Sequence, residues 1–206
     1  FYIAQFIYFL TTLIVNSTVY KHASRLIVNN MCYLLMVGFV ILTRLDYSMA
    51  VRQFIIAIAA IVISLAIPIF MAKVRTLDRW GIFYGVLGFL MIASVFVIGE
   101  SRYGATNWIS IGGFSLQPSE LAKIVFVFFV AAMLANDVSF KRIVITTAAA
   151  AAYVLALVAE RDLGAAVIFF VTYLIMLYVA TRQFRYMALG LASGAVAGVI
   201  AYRLFD

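Results

Sequence analysis

One carboxylate and one ammonium stand three residues apart in Gln117-Pro118-Ser119-Glu120-Leu121-Ala122-Lys123, at the mouth of a strongly apolar stretch. An ionisable side chain inside a membrane helix costs about 2.5–3.5 kcal/mol on insertion scales. Pro118 suits a first helical position, because its missing N–H has no partner there anyway. Glu120 then falls in the first turn, where the helix dipole favours an anion. Lys123 follows on the same face. Two readings are open. The bland one is a capped helix start with a local ion pair and a snorkelling lysine. The other is a charged pair facing a polar cavity.

A second polar cluster, Glu160-Arg161-Asp162-Leu163-Gly164, precedes another apolar run. Asp162 there reads first as an N-cap, and Arg161 as a partner for Glu160 or a lipid headgroup. Arg52-Gln53 opens a further apolar run. Arg102 and Trp108 lie in a loop that also holds Gly104-Ala105-Thr106-Asn107-Trp108-Ile109. Brought together, these groups form a basin of mixed charge. Its arginines and lysine suit the oxygens of a lipid-linked pyrophosphate. Other chemistries lack their residues. His22 is the only histidine and has no Cys or carboxylate set at metal spacing. No phosphate-binding glycine loop or nucleophile elbow is present. No cofactor is evident, and nothing in the sequence indicates a divalent metal.

Apolar helices must position these residues. Of 206 residues, 67% are hydrophobic and 11% charged, a balance no ordinary soluble domain has. The apolar runs are continuous rather than alternating, which favours helices over a barrel. Eight spans are expected, over residues 1–19, 28–42, 54–71, 80–98, 120–134, 143–158, 163–180 and 187–202. The fold class is therefore an all-α polytopic transmembrane helix bundle, in a single membrane domain over residues 1–206.

The net charge of +7 reads as loop charge that sets topology, not as a nucleic-acid surface. Lys21, Arg25, Lys73, Arg75, Arg79, Lys141, Arg142, Arg182 and Arg185 fall in one set of loops. Arg44, Arg52, Arg102, Arg161 and Arg203 fall in the other. The richer set belongs in the cytoplasm. The long 99–119 loop then faces outward, and loops of such length tend to be functional. Gly190, Gly194 and Gly198 lie on one helix face, open to internal packing or to a dimer contact. The single cysteine, Cys32, allows no intramolecular disulfide. Residue 1 lacks a preceding Met and a basic leader, and the chain stops just after an apolar run, so a piece of a longer protein is expected.

Gly104–Ile109, Gln117–Lys123 and Asp162-Leu163-Gly164 together resemble the SEDS family, the FtsW/RodA/SpoVE group of bacterial cell-wall proteins. The likeness runs over residues 36–206, with residues 1–20 as an extra helix before the family core. It implies a peptidoglycan glycosyltransferase of the cytoplasmic membrane that polymerises lipid II, a disaccharide-pentapeptide on undecaprenyl pyrophosphate. The implied roles are cell division or cell shape, with a class B penicillin-binding protein as partner. A lipid II flippase and a non-catalytic scaffold are the alternatives. Glu120 and Lys123 are the expected cavity residues, joined by Arg52, Arg102, Trp108 and Asp162. No catalytic residue is expected within this chain. The family's essential aspartate lies in a later outer loop, which would follow Asp206, so the chain alone is expected to be inactive. Two positions depart from the family pattern. Asn107 stands where a basic residue is common, and Glu160-Arg161 replaces a usual Gln-Pro before Asp-Leu-Gly.

Overall fold

The computed structural model describes the chain except for residues 21–23, 75, 103–104, 112–113 and 206. Its contacts divide into two compact units, Phe1–Val74 and Arg75–Asp206.

The first unit holds α1 (Tyr2–Val19), α2 (Arg25–Leu45) and α3 (Tyr47–Lys73). The buried residues Phe9, Cys32 and Phe39 form its centre, with Tyr8, Phe54 and Ala57 packed against them. Phe54 meets Tyr8 and Phe39 edge-on, at ring-centroid distances of 5.6 and 5.7 Å, a favoured aromatic geometry. The Tyr8 hydroxyl donates to the Ala57 carbonyl at 3.2 Å, and the Tyr20 hydroxyl donates to that of Leu65. Helix α3 begins seven residues before the expected span, because Asp46 caps it. The Asp46 carboxylate accepts from the Met49 amide at 3.0 Å and the Ser48 hydroxyl at 2.8 Å. Those two donors hold the Asp46 carboxyl below the usual range. Helix α2 is likewise longer than the expected 28–42. Asn29 and Asn30 sit inside it without ending it.

The second unit opens with a 3₁₀ turn, Leu77–Trp80, followed by α4 (Gly81–Ala93) and the short α5 (Val95–Ile98). What the hydropathy pattern joins as one span is thus broken at Ser94, whose hydroxyl donates to the Met91 carbonyl at 2.7 Å. Then come β1 (Glu100–Arg102), β2 (Ala105–Ile111) and β3 (Phe114–Leu116). Helices α6 (Pro118–Leu134), α7 (Phe140–Ala159), α8 (Leu163–Thr181) and α9 (Phe184–Phe205) complete it.

The core of this unit is aromatic. Phe126 of α6 lies 5.0 Å from Tyr153 of α7 and 4.9 Å from Phe169 of α8, centroid to centroid. The Tyr153 hydroxyl donates to the Gly85 carbonyl of α4 at 2.5 Å. Gly88 makes that approach feasible, since a Cβ there would stand 2.6 Å from the Tyr153 oxygen. Small residues also seat α9: Leu174 crowds Gly190, and Phe170 crowds Gly194. Two of the three glycines in that stripe therefore serve packing inside the chain.

Among the described residues, six segments are long and apolar enough to cross a membrane: Tyr2–Val19, Arg25–Leu45, Tyr47–Met71, Leu77–Ile98, Phe140–Ala159 and Leu163–Thr181. Large apolar side chains such as Val97 and Leu45 stay exposed on them. In water such a surface would drive aggregation; in lipid it is the solvated state. The fold is an all-α polytopic membrane bundle. The 99–119 connection, expected as a loop, instead carries three short antiparallel strands in the order β1-β2-β3.

Candidate functional site

Strand alternation aims the first residue of the site. Along β2, Asn107 and Ile109 are buried, Trp108 is half-buried and Ser110 is exposed. Successive side chains on a strand point to opposite faces, so Asn107 and Ile109 share the inward face and Trp108 takes the other. In register, Trp108 lies opposite Glu100, with a bulge between Glu100 and Ser101. Ser110 donates to the Glu100 carboxylate at 2.7 Å.

The turn between α7 and α8 places the second residue. Arg161 has φ 61°, the left-handed region in which glycine is usual. Its amide donates to the Val158 carbonyl at 3.0 Å, and the Asp162 amide donates to the Leu157 carbonyl at 2.9 Å. That paired closure is a Schellman motif. A proline, which the family pattern has at this position, is locked near φ −65° and could not make the turn.

Asp162 therefore ends one helix and starts the next. Its Oδ1 accepts from the Ala165 amide at 3.0 Å, an N-cap worth about 1 kcal/mol. Its Oδ2 accepts from Asn107 Nδ2 and from Gln117 Nε2, both at 2.8 Å. Three segments far apart in the chain thus meet on one carboxylate: strand β2, the residue before α6, and the start of α8. An ionised acceptor makes these hydrogen bonds stronger than neutral ones.

Next to this node is Glu160, expected from the sequence as a partner for Arg161 and as a departure from the family pattern. Glu160 is 3% exposed, and neither of its carboxyl oxygens has a hydrogen-bond partner among the described residues. Burial pushes it up to about 7, with the Asp162 charge as the second cause. The end of α7 adds an unfavourable environment for an anion, since a helix C-terminus is the negative pole. The signal was available: a carboxylate beside Asp162 at a helix C-terminus, where an amide would carry no charge. Asn107 Oδ1 and Ser119 Oγ are also buried without hydrogen-bond partners among the described residues.

Helix α6 separates the expected charged pair from this node. Its buried face holds Ser119, Ala122, Phe126, Phe129, Val130 and Met133, recurring at the helical period. Glu120 and Lys123 lie off that face. Lys123 Nζ donates to both Glu120 oxygens, at 3.0 and 3.1 Å. The Glu120 side chain is 61% exposed and that of Lys123 27%. The pair therefore sits on the surface of the second unit, and among the described residues these two hydrogen-bond each other and not Asp162.

The other expected residues are dispersed. Trp108 is in β2, beside Asn107. Arg52 is exposed on α3 and belongs to the first unit. Arg102 closes β1, and its side chain lies outside the described residues.

Known proteins place this architecture. The family of cell cycle proteins that comprises FtsW, RodA and SpoVE matches residues 24–205. The chain belongs to the FtsW/RodA/SpoVE family. Among relatives, the peptidoglycan glycosyltransferase RodA of Mycobacterium tuberculosis is 29% identical over 160 residues, 66% of this chain and 33% of that protein. The probable peptidoglycan glycosyltransferase FtsW of Aeromonas salmonicida is 34% identical over 157 residues, 70% of this chain and 40% of that one. The chain spans about a third to two fifths of the length of these relatives.

Among solved structures, the rod shape determining protein RodA of Thermus thermophilus superposes with a TM-score of 0.64 at 24% identity. The match covers 78% of this chain and 54% of that one. A chain from a peptidoglycan synthase complex that coordinates polymerization and crosslinking also gives 0.64, at 22% identity over 84% of this chain and 53% of its own. These likenesses establish the FtsW/RodA fold of a multi-pass membrane protein.

Proposed function

We propose that the chain works as part of a peptidoglycan glycosyltransferase that polymerises lipid II at the outer face of a bacterial cytoplasmic membrane. Family membership carries this reading, together with relatives named as peptidoglycan glycosyltransferases. The geometry supports it at one point. The three segments that carry the family likeness converge on Asp162 through Asn107 and Gln117. A class B penicillin-binding protein is the proposed partner, consistent with the fold likeness to a chain of a peptidoglycan synthase complex.

In the proposed reaction a sugar hydroxyl of one lipid II attacks the anomeric carbon of another chain end. The C–O bond to the pyrophosphate breaks, and the lipid pyrophosphate leaves with the electron pair. The attacking hydroxyl passes its proton to a general base; none of the residues assigned here takes that role. Lys123 contributes a cation for pyrophosphate oxygens. Glu120 holds Lys123 in place between substrates, through the pair of contacts at 3.0 and 3.1 Å. Arg102 is assigned to the cavity and Trp108 to its rim. Asp162 positions the strand and the start of α6.

The test is lipid II polymerisation by a full-length homologue carrying the same Glu and Lys. Glu120→Ala and Lys123→Ala should each lower the rate about 100-fold, the order seen when a charge-stabilising donor is removed, with membrane insertion intact. Wild-type polymerisation by both variants would sink the site assignment. A parallel proteoliposome assay for lipid II translocation separates a flippase from a polymerase. A pure scaffold would show neither activity, yet would still bind the penicillin-binding protein.

A further inference from the structure

A groove of about 250 Å³ lies between the last turns of α1 and the first turns of α2. It is remote in chain position from the segments assigned above, and its α1 wall precedes the family match, which begins at residue 24. Leu13 and Ile14 of α1 and Val28 of α2 form its apolar lining, and Arg25 and Asn29 of α2 its polar lining. Arg25 and Asn29 are four residues apart, hence neighbours on one helix face. Among the described residues Arg25 makes no ion pair, and the first turn of α2 contains no acid.

The α1 wall is polar but carries no charge. Asn16 Nδ2 already donates to the Thr12 carbonyl at 2.9 Å, and Ser17 Oγ donates to that of Ile14 at 2.9 Å. What those side chains have left for a ligand is the second Asn16 amide hydrogen, the Asn16 carbonyl oxygen and the Ser17 lone pairs, so this wall can both donate and accept. One wall thus offers a cation beside an amide, the other a neutral amide and a hydroxyl, and the lining between them is hydrocarbon.

A phosphodiester with a hydroxylated headgroup and an acyl chain matches all three. We propose that this groove binds one anionic phospholipid of the phosphatidylglycerol type. Its phosphate lies on Arg25 and Asn29, its headgroup hydroxyls on Asn16 and Ser17, and an acyl chain along Leu13, Ile14 and Val28. The chemistry is that of basic pockets between membrane helices that hold anionic headgroups, with bidentate guanidinium contact to phosphate.

The experiment is native mass spectrometry of the full chain released from nanodiscs holding equal phosphatidylglycerol and phosphatidylcholine. The wild type should retain one phosphatidylglycerol in preference to phosphatidylcholine. Arg25→Gln should lower that occupancy about tenfold, the scale of one lost charge-assisted hydrogen bond. Because removing a loop charge can disturb insertion, Val28→Trp is the second variant. It fills the groove with every charge intact and should lower occupancy as strongly. Arg142→Gln, whose arginine pairs with Asp137 at 3.4 Å, should leave occupancy unchanged. Millimolar glycerol 3-phosphate should fail to displace the lipid. Full retention in Arg25→Gln or Val28→Trp, equal retention of phosphatidylcholine, or displacement by glycerol phosphate would each overturn the proposal.

Discussion

Glu160 makes the pH dependence of this protein's stability a quantitative matter. Its carboxyl is 3% exposed, has no hydrogen-bond partner among the described residues and is pushed from 4.5 to about 7 by burial. The folded state thus prefers the neutral acid. Between pH 4.5 and 7 the folded protein binds more protons at this site than the unfolded chain does, so stability falls as pH rises through that window. The contribution is fully present below 4.5 and is lost above 7. A shift of that size corresponds to about 3 kcal/mol, at about 1.4 kcal/mol per unit. Relaxation or water entry around the carboxylate would reduce it, so about 1–3 kcal/mol is the working range. Glu160→Gln keeps the shape and removes the titration. In detergent, its midpoint of thermal unfolding should equal that of the wild type at pH 4.5 and exceed it at pH 8.5 by about 2–12 °C, using about 2–4 °C per kcal/mol for a chain of this size. Parallel pH profiles for the two proteins would refute the assignment of Glu160 as a buried, unpaired acid.

Further expectations follow from single contacts. Asp162→Ala removes an N-cap and leaves the Asn107 and Gln117 amides without their acceptor. It should cost about 2–4 kcal/mol and loosen the strands, read as faster proteolysis within residues 99–117. Arg161→Pro cannot adopt φ 61°; it should destabilise by about 3 kcal/mol, measured as a lowered unfolding midpoint. Gly88→Val would drive its side chain into the Tyr153 oxygen. The expected cost is about 1–3 kcal/mol, relieved in part by Tyr153→Ala if the clash is the cause. A double-mutant cycle checks that coupling.

The helical spans were legible because lipid imposes a simple rule. Every backbone group in hydrocarbon must be paired within its own segment, so length and apolarity announce a helix wherever it lies. Boundaries were less legible, since they depend on caps. Asp46 extends α3 by accepting from Met49 and Ser48, and Ser94 interrupts an otherwise continuous apolar run. The strands between α5 and α6 escaped notice because their polar, glycine-punctuated sequence resembles a loop. Only pairing across the meander distinguishes the two.

What the residues determined alone was the class of protein and the family, through continuous apolar runs and through motifs such as Gln117–Lys123 and Asp162-Leu163-Gly164. What tertiary structure decided was which polar residues meet. Glu120 and Lys123, adjacent on one helix turn, pair with each other by local geometry, which three-residue spacing already dictates. Asn107, Gln117 and Asp162 are separated by up to 55 residues, and no spacing rule connects them. Their contact depends on strand alternation, on the left-handed turn at Arg161 and on the packing of α6 against α8. Glu160 is the same case in reverse. Its sequence neighbours look polar and solvated, yet the packing of α7 buries it beside Asp162 with no hydrogen-bond partner among the described residues, because burial is a property of the assembled helices and not of the residue.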